Sequence, residues 1–321
     1  MPSPSHLLAS AHRLIQRSER ILLVADGSPD GDSIGSTTAM LNWLAREGKQ
    51  VEAFSIEPIP SSLQFLDGVH RITNDPAVFA QPYDLVLTFD ASDPKRSGIT
   101  EHLPKLPRPA HVVVFDHHVT NPRYGDTNII FTDACSTCEV MYRFFDENGE
   151  RIDDRMATSL LTGITTDTSS FTNGATTTAG MEAAAHLFRC GARHTDIVRH
   201  VVQNKSMDGL KLWGLALSRL RHDPARDLAT TFFLREDLTA PGSHEAVEGL
   251  SNFLNAVCNG CDTVLVLREK EDGTVRGSMR SMNRDISKLA QLMGGGGHKK
   301  AAGFTVKGRI EVTEKGPRIV N

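Results

Sequence analysis

Residues 21–36 read ILLVADGSPDGDSIGS, and this stretch decides the fold. It opens with an apolar run rich in strand formers and closes on Gly35 and Ser36, where an apolar pattern with helical spacing starts. Three aspartates lie between them: Asp26, Asp30 and Asp32. A strand, a polar turn and a helix in this order are typical of an α/β sheet, which presents such turns at its strand ends.

Three further clusters of aspartate or histidine follow a short apolar run or lie beside a turn. They are Asp90-Ala-Ser-Asp93 after Leu85–Phe89, Asp116-His117-His118 after Val112–Phe115, and Asp167 after Leu160–Ile164. Carboxylates gathered at one sheet edge repel one another and are costly to desolvate unless a cation compensates them. Oxygen ligands with one or two imidazoles suit manganese, magnesium or iron, whereas a structural zinc site would usually use thiolate ligands. The clusters therefore predict a two-metal hydrolase.

Length and composition set the frame. The 321 residues suffice for two domains, and 39% apolar with 23% charged residues is typical of a soluble globular protein. A net charge of −4 leaves no broad basic surface for long duplex nucleic acid, although short oligonucleotides need only a few phosphate contacts. The first residues lack a signal-peptide pattern, and no apolar stretch reaches the roughly 20 residues that span a bilayer. We expect a cytoplasmic protein without a membrane segment.

Strand and helix patterns alternate from Ile21 to about residue 190. This alternation predicts an α/β fold with a mainly parallel, helix-covered sheet, followed by a second, smaller α/β domain. The predicted divisions are 1–190 for the first domain, 191–207 for a helical connector, 208–310 for the second domain and 311–321 for a frayed tail. Within them, helices are predicted at 5–19, 35–47, 208–221, 243–257 and 285–292.

Two CxxC pairs, Cys135/Cys138 and Cys258/Cys261, raise the question of a structural zinc site. Zinc ribbons usually place about 15–20 residues between their pairs, and the separation here is far larger. Ser136 or Thr137 is a suitable helix cap beside the first pair. We interpret the cysteines as small packing residues, with zinc binding and redox chemistry as alternatives.

Four motifs together resemble those of a known family. PDGDSIGS, FDASD, FDHHVTN and GITTDTSSF are similar, in order and spacing, to the four motifs of the DHH phosphoesterases, and the segments 277–281 and 294–304 resemble the DHH-associated C-terminal domain. The resemblance covers nearly the whole chain. The pairing of these two domains without further modules is similar to the branch of bifunctional oligoribonucleases and 3′,5′-bisphosphate nucleotide phosphatases.

The resemblance implies two divalent cations, most simply Mn²⁺, with Mg²⁺ or Fe²⁺ as alternatives. Its metal ligands would be Asp26, Asp30 and Asp90 for one cation, and Asp32, Asp90, His117 and Asp167 for the other. Asp90 and His117 would thereby take part in catalysis, and His118 would contact a non-bridging phosphate oxygen. One departure stands out, because Asp26 replaces the histidine with which the family's first motif usually begins. An aspartate is a competent hard ligand, so either the first metal site is re-tuned or it is weak.

The resemblance also implies that the second domain binds the substrate. Glycine backbone N–H groups of the run 294–297, above all Gly295, Gly296 and Gly297, would approach phosphate closely, and His298, Arg280 and Ser281 would add contacts. The expected partners are short single-stranded RNA or dinucleotides, a mononucleotide bisphosphate such as adenosine 3′,5′-bisphosphate, and a second copy of the chain in a homodimer.

Three alternative functions stay open beside that of an oligoribonuclease. The same site could hydrolyse linear or cyclic dinucleotides, or act as a RecJ-like single-strand exonuclease. Because Asp26 replaces the usual histidine, a third alternative is a catalytically weakened nucleotide-binding protein. Retention of the other five metal ligands argues against this last alternative.

Overall fold

The computed structural model describes residues 3–203, 205–297, 299–313 and 316–320. The described residues form two compact units. The first contains 3–171 and 175–203, and the second is formed mainly by residues from 205 to 320. No helix in these described ranges is long and apolar enough to cross a membrane.

A six-stranded, wholly parallel sheet forms the centre of the first unit. Its strands are β1 (Arg20–Ala25), β2 (Gln50–Phe54), β3 (Ile72–Thr73), β4 (Leu85–Phe89), β5 (His111–Asp116) and β6 (Thr127–Ile130). They are arranged in the order β3-β2-β1-β4-β5-β6, so the chain changes direction across the sheet between β1 and β4. Ligand sites of open α/β sheets lie at such a switch point, beyond the carboxyl ends of the strands.

Helices cover this sheet. They are α1 (Pro4–Arg17), α2 (Gly31–Arg46), α3 (Ile99–His102), α4 (Thr137–Glu147), α5 (Asp154–Asp167), α6 (Thr178–Arg189) and α7 (His194–Ile197). The larger apolar core joins α1, α2, α4 and α5 to one face of the sheet, and a smaller core around Phe54 and Phe79 covers the other face. The predicted mainly parallel, helix-covered sheet is confirmed.

Two local predictions for this unit differ from the structure. Helix α2 begins at Gly31, four residues before the predicted start, because the Asp30 side chain caps it by accepting from the backbone N–H groups of Asp32 and Ser33. The run Leu160–Ile164, interpreted as strand-like, lies inside helix α5. Every residue from Met156 to Thr165 is buried, and an apolar run without a polar face does not distinguish a buried helix from a buried strand.

The second unit contains a mixed sheet with strand order β11-β12-β10-β9-β8-β7, in which β8 and β9 are parallel and the other pairs antiparallel. Its strands are β7 (Arg221–Asp223), β8 (Leu228–Phe233), β9 (Thr263–Glu269), β10 (Thr274–Ser281), β11 (Gly296–Gly297) and β12 (Ala301–Lys307). Its helices are α8 (Met207–Ser218), α9 (Ser243–Ala246), α10 (Leu250–Val257) and α11 (Ser287–Leu292). This confirms a second, smaller α/β unit.

Two predictions for this unit are corrected. The helix expected at 243–257 is divided into α9 and α10, because Gly249 between them has a φ of +83°. The segment 311–321, expected to be a frayed tail, instead contributes to a hairpin of β13 (Arg309–Thr313) and β14 (Gly316–Val320). Ile310 of this hairpin is buried in the apolar core of the second unit, which anchors it.

Candidate metal centre

The predicted polar clusters of the first unit meet at the carboxyl edge of its parallel sheet. Asp26 directly follows β1, Asp90 directly follows β4, and β5 ends at Asp116 before His117 and His118. Asp32 lies in the first turn of α2, and Asp167 is the last residue of α5. Three neighbouring strands and two helix ends therefore deliver the predicted ligands to one place.

His117 is the centre of the cluster. Its Nε2 atom lies 3.3 Å from Asp167 Oδ2 and 3.7 Å from both Asp32 Oδ2 and Asp90 Oδ1. Two groups of potential ligands have all their donor atoms within 4.8 Å of one another: Asp32, His117 and Asp167, and Asp90, His117 and His118. The structure thus brings together the four residues that the sequence assigns to one cation.

Asp32 is completely buried, and backbone donors hold both of its oxygens. The N–H groups of Thr137 and Cys138, at the N-terminus of α4, donate to it at 2.6 and 2.8 Å. Gly163 of α5 packs closely beside it, since a Cβ atom there would be 2.6 Å from Asp32 Oδ1. Desolvation, followed by the charge of Asp167, raises the pKa of Asp32 to about 6 despite these donors. This carboxylate is rigidly held, and the nearby imidazole of His117 compensates its charge only in part.

Asp90 adopts a strained backbone conformation, with a φ of +60°. Such strain at a non-glycine residue persists only where the surroundings determine it, and it is frequent at functional sites. Its Oδ1 accepts from the Thr137 hydroxyl at 2.9 Å. Burial and the charges of Asp32 and Asp30 raise its pKa well above the ordinary value. A cation beside Asp90 would offset the repulsion from Asp32 and Asp30 and would lower the pKa of Asp90 again.

The two histidines have different surroundings. Burial alone would lower the pKa of His117, but a hydrogen bond to Asp167 and the charges of Asp167, Asp32 and Asp116 raise it to about 9. His118 Nδ1 lies 2.7 Å from Asp116 Oδ1 and 3.4 Å from Asp90 Oδ1. Three carboxylates thus stabilise the protonated form of His117, so its imidazole occupies a position where a positive charge is favourable.

Asp116 orients this pair of histidines and is itself fully buried. Its Oδ1 accepts from the backbone N–H groups of His117 and His118, and its Oδ2 accepts from the side chain of Asn121 at 2.6 Å. Burial opposes its ionisation, but the hydrogen bond to His118 and the charges of the histidines lower its pKa. Asp116 thus ionises more readily than an ordinary aspartate and orients the His118 ring through their hydrogen bond.

The chain leaves the cluster through an unusual turn. After Asp167 and Thr168, three successive residues (Ser169, Ser170 and Phe171) have φ values of 49°, 59° and 63°. A run of left-handed residues without glycine is strained, and such strain persists only where the surrounding structure holds the backbone in place. The end of α5 is therefore a tightly held part of the site.

The residues assigned to the other cation fit it poorly. Asp26 Oδ2 accepts from the Arg96 guanidinium at 2.5 Å and from the Ser28 N–H at 2.9 Å, while Asp30 Oδ1 caps α2. Within the described ranges, neither aspartate joins a group of three potential ligands. Asp26 Oδ1 is buried and has no hydrogen-bond partner there, so each of the two aspartates has at most one oxygen available. The residues for one cation fit, and those for the family's first cation do not.

The predicted substrate contacts of the second unit lie on two strands of one sheet, β10 and β11, which are separated by β12. Arg280 of β10 donates to Asn252 Oδ1 at 2.5 Å, and Ser281 is buried and donates to Asp262 at 2.6 Å. Gly296 and Gly297 form β11, which pairs with β12 next to β10. Gly295 precedes this strand, and a Cβ atom there would be 2.0 Å from the carbonyl oxygen of Gly303. His298 lies outside the described residues.

The cysteines take no part in the cluster. Cys135 and Cys138 are buried in the core of the first unit, beside the cap Ser136 of α4. Cys258 and Cys261 are partly buried in the second unit, with 2.7 Å between their sulfur atoms. Neither candidate metal group in the described part of the chain contains a thiol.

Comparison with known proteins agrees with this geometry. The pattern of the DHH family, N-terminal domain, matches residues 20–164, and that of the DHHA1 domain matches residues 232–320. The bifunctional oligoribonuclease and PAP phosphatase NrnA of Thermus thermophilus is 30% identical over 289 residues, which are 90% of this chain and 84% of the relative. The cyclic-di-AMP phosphodiesterase GdpP of Geobacillus thermodenitrificans is 25% identical, over 92% of this chain and 45% of that protein.

A solved structure shares the fold. An exopolyphosphatase-related protein from Bacteroides fragilis superposes with a TM-score of 0.82 at 23% identity, over 93% of this chain and 90% of that one. The family match, the Thermus relative and the cluster together indicate a metal-dependent phosphoesterase. More closely, the chain belongs to the DHH family, with a DHHA1 domain as its second unit.

Three residues of the site were not predicted from the sequence: Thr137, which donates to Asp90, Arg96, which pairs with Asp26, and Asp116 in its orienting role. Thr137 and Asp116 lie inside segments that the sequence did mark, at the helix cap and in the FDHH motif. Arg96 had no such signal, since an arginine in a polar loop is usually a solvated charge.

Proposed function

We propose that this protein hydrolyses short oligoribonucleotides and also removes the 3′-phosphate of adenosine 3′,5′-bisphosphate. One observation carries the proposal: Asp32, Asp90 and Asp167 converge on His117, with His118 beside them. The name of the Thermus relative, at 30% identity, supports this choice of substrates. The absence of a broad basic surface, at a net charge of −4, favours short strands over long ones.

Asp32, Asp90, His117 and Asp167 would hold a divalent cation. Three carboxylates and one imidazole form a hard ligand set, for which Mn²⁺ is our first choice and Mg²⁺ or Fe²⁺ the alternatives. Such a cation, when bound, acidifies a water molecule and neutralises charge on the phosphate. The resemblance implies a second cation at Asp26 and Asp30, and the contacts of these two residues argue against it.

The protein's own groups position the phosphate. Asp116 fixes the His118 ring from one side, so that His118 contacts a non-bridging phosphate oxygen and stabilises the charge that develops there. In the second unit, Arg280 and the glycine backbone of β11 would bind phosphate or base groups of the substrate, with His298 as the remaining predicted contact. Chemistry and substrate binding are thus assigned to different units.

A turnover assay tests the proposal. Metal-free protein is titrated with MnCl₂ while cleavage of a 5′-labelled diribonucleotide and of a 24-residue RNA strand is followed, and phosphate release from adenosine 3′,5′-bisphosphate is measured in parallel. We expect Mn²⁺-dependent cleavage of the dinucleotide, at least about tenfold faster than of the long strand. Comparable rates on both strands would favour the RecJ-like alternative instead.

A second candidate function is hydrolysis of linear or cyclic dinucleotides, favoured by the similarity to a cyclic-di-AMP phosphodiesterase. The same assay with cyclic di-AMP and its linear product distinguishes the two. If a cyclic dinucleotide is cleaved faster than a diribonucleotide at equal concentration, this second function replaces the first.

A further inference from the structure

We propose that Arg96, held by the buried Asp26, supplies a fixed positive charge that binds a phosphate oxygen, and that the site takes one divalent cation instead of two. The phosphate part of this inference rests on the proposed function. The cation count does not, because it can be measured without any turnover.

The Asp26–Arg96 pair joins a buried anion to an accessible cation. Asp26 is 3% exposed, whereas the Arg96 side chain is 53% exposed, and their atoms are 2.5 Å apart. A buried carboxylate needs a compensating charge, and the guanidinium provides it. A guanidinium carries five N–H donors and stays protonated, so donors beyond those facing Asp26 remain for a ligand. One side of Arg96 is thus anchored while the other is accessible to a phosphate.

The anchor lies next to the candidate metal ligands. Strands β1 and β4 are paired in parallel with Ala25 opposite Phe89, so Asp26 and Asp90 are the next residues at the same sheet edge. Neighbouring strands are about 4.8 Å apart. Arg96 belongs to the loop that begins with Asp90 and returns to Asp26. A phosphate beside a cation at Asp90 is therefore near this guanidinium.

The loop holds the backbone of Arg96 in place. The Asp93 carboxylate accepts from the N–H groups of Lys95 and Arg96, and the Asp93 carbonyl accepts from Ser97. On its other side the loop touches Gly27, where a Cβ atom would be only 2.0 Å from the Arg96 carbonyl oxygen. Glycine beside Asp26 is what allows this approach. A built turn, rather than a loose surface side chain, presents the arginine.

Charge explains why a second cation is not expected. Burial and the charges of Asp167 and Asp32 raise the pKa of Asp30 to about 7, but Arg96 already neutralises Asp26, and a divalent cation placed between Asp26 and Asp30 would be repelled by the guanidinium. Asp26 Oδ2 and Asp30 Oδ1 already accept hydrogen bonds, so these two residues offer at most one oxygen each, which is too few ligands for a hard cation. The planar guanidinium can bind two phosphate oxygens at once. Arg96 could therefore neutralise phosphate charge as the missing cation would, but it could not activate a water molecule.

Metal stoichiometry is the first test. Metal-free wild-type protein is titrated with MnCl₂ by calorimetry, and the saturated protein is examined by electron paramagnetic resonance. We expect one Mn²⁺ per chain and the six-line signal of an isolated ion. Two tightly bound ions with an exchange-coupled spectrum would overturn the single-cation inference. A wild-type protein that binds one ion but cleaves no RNA would contradict the proposed function alone.

Phosphate binding is the second test, with inorganic phosphate as the probe and Mn²⁺-loaded protein. We expect Arg96→Gln to weaken phosphate binding about tenfold or more, and Arg96→Lys to retain most of it. Because Arg96→Gln leaves a buried carboxylate without its partner, the double variant Asp26→Asn/Arg96→Gln repeats the test with a neutral pair. The control is Arg108→Gln, at an arginine of similar exposure that pairs with Asp84. Unchanged affinity in Arg96→Gln and in the double variant Asp26→Asn/Arg96→Gln would overturn the role of Arg96.

Discussion

The two halves of the carboxylate cluster contain the same kind of residue and differ in how charge is compensated. Around His117, three carboxylates share the charge of one imidazole, and burial together with the repulsion among them raises the pKa values of Asp32 and Asp90. Around Asp26, a guanidinium already provides the opposite charge. A cluster of aspartates therefore does not by itself define a two-cation site. What matters is whether the protein has supplied the counter-charge.

The largest expected effect is on the uncompensated half. We predict that Asp90→Asn lowers hydrolysis by a factor on the order of 10³, because it removes a carboxylate placed to bind the cation, and cation stabilisation is worth several kcal/mol. Asparagine tolerates the positive φ at this position better than most residues do, and it removes a repelling charge. Steady-state turnover on a diribonucleotide measures the effect.

The control for this prediction is stability. Thermal unfolding in a chelator should show the metal-free Asp90→Asn protein to be at least as stable as the wild type, whereas Asp32→Ala should be less stable because it leaves the buried N–H groups of Thr137 and Cys138 without their acceptor. Near wild-type turnover of Asp90→Asn would remove Asp90 from the ligand set and with it the contrast between the two halves.

The second prediction concerns pH. His117 has a pKa of about 9 in the metal-free protein, above its ordinary value of 6.5, and a metal ligand must be neutral. Below pH 9 each bound cation therefore expels a proton, and Mn²⁺ affinity should rise by up to about tenfold per pH unit between pH 6 and 9. Below pH 6 protonation of Asp32 should make the dependence steeper.

The same proton stabilises the metal-free fold. Since the folded-state pKa is the raised one, this contribution is fully present below about pH 6.5 and is lost as the pH rises through 9. Calorimetric titrations of Mn²⁺ in buffers of different ionisation enthalpy count the released protons. An affinity independent of pH from 6.5 to 8.5 would show that His117 does not ligate the cation.

The sequence predicted the uncompensated half well. The ends of β1, β4 and β5 could be placed from their apolar runs, and parallel strands bring such ends to one edge. Asp90 and the pair His117 and His118 followed from this rule, and the family resemblance then assigned Asp32 and His117 to the ligand set. Asp167 was placed correctly but for a partly wrong reason, because its preceding run is a buried helix whose end, not a strand's, delivers the carboxylate.

The compensated half could not be predicted in the same way. Arg96 lies 70 residues from Asp26 in the sequence, and their pairing depends on the path of a loop with no periodic pattern. Thr137 reaches Asp90 across 47 residues for a similar reason. The departure at Asp26 was visible, but its counter-charge was not. Periodicity predicts where elements end, whereas side-chain pairing between loops needs coordinates.

A smaller effect on turnover is expected from a change at Asp116, which contacts His118. We predict that Asp116→Asn lowers turnover about 10- to 100-fold while the content of bound Mn²⁺ stays close to that of the wild type, because Asp116 orients His118 and does not itself ligate. Metal analysis beside the kinetic assay separates the two roles. Loss of Mn²⁺ from the variant would mean that Asp116 belongs to the ligand set.

The smallest expected effect lies in the second unit, where the comparison can be sharpened further. Arg280 donates to Asn252 and to the Met279 carbonyl, and these contacts orient its guanidinium, which we propose binds a phosphate of the substrate. We predict that Arg280→Ala raises KM for a diribonucleotide about tenfold, the loss of one charge-assisted hydrogen bond, with kcat and Mn²⁺ content nearly unchanged. Arg226→Ala, at an exposed arginine of the same unit that pairs with Asp223, is the matched control. An equal fall in kcat would assign Arg280 to the chemical step and would end the division between a unit that reacts and a unit that binds.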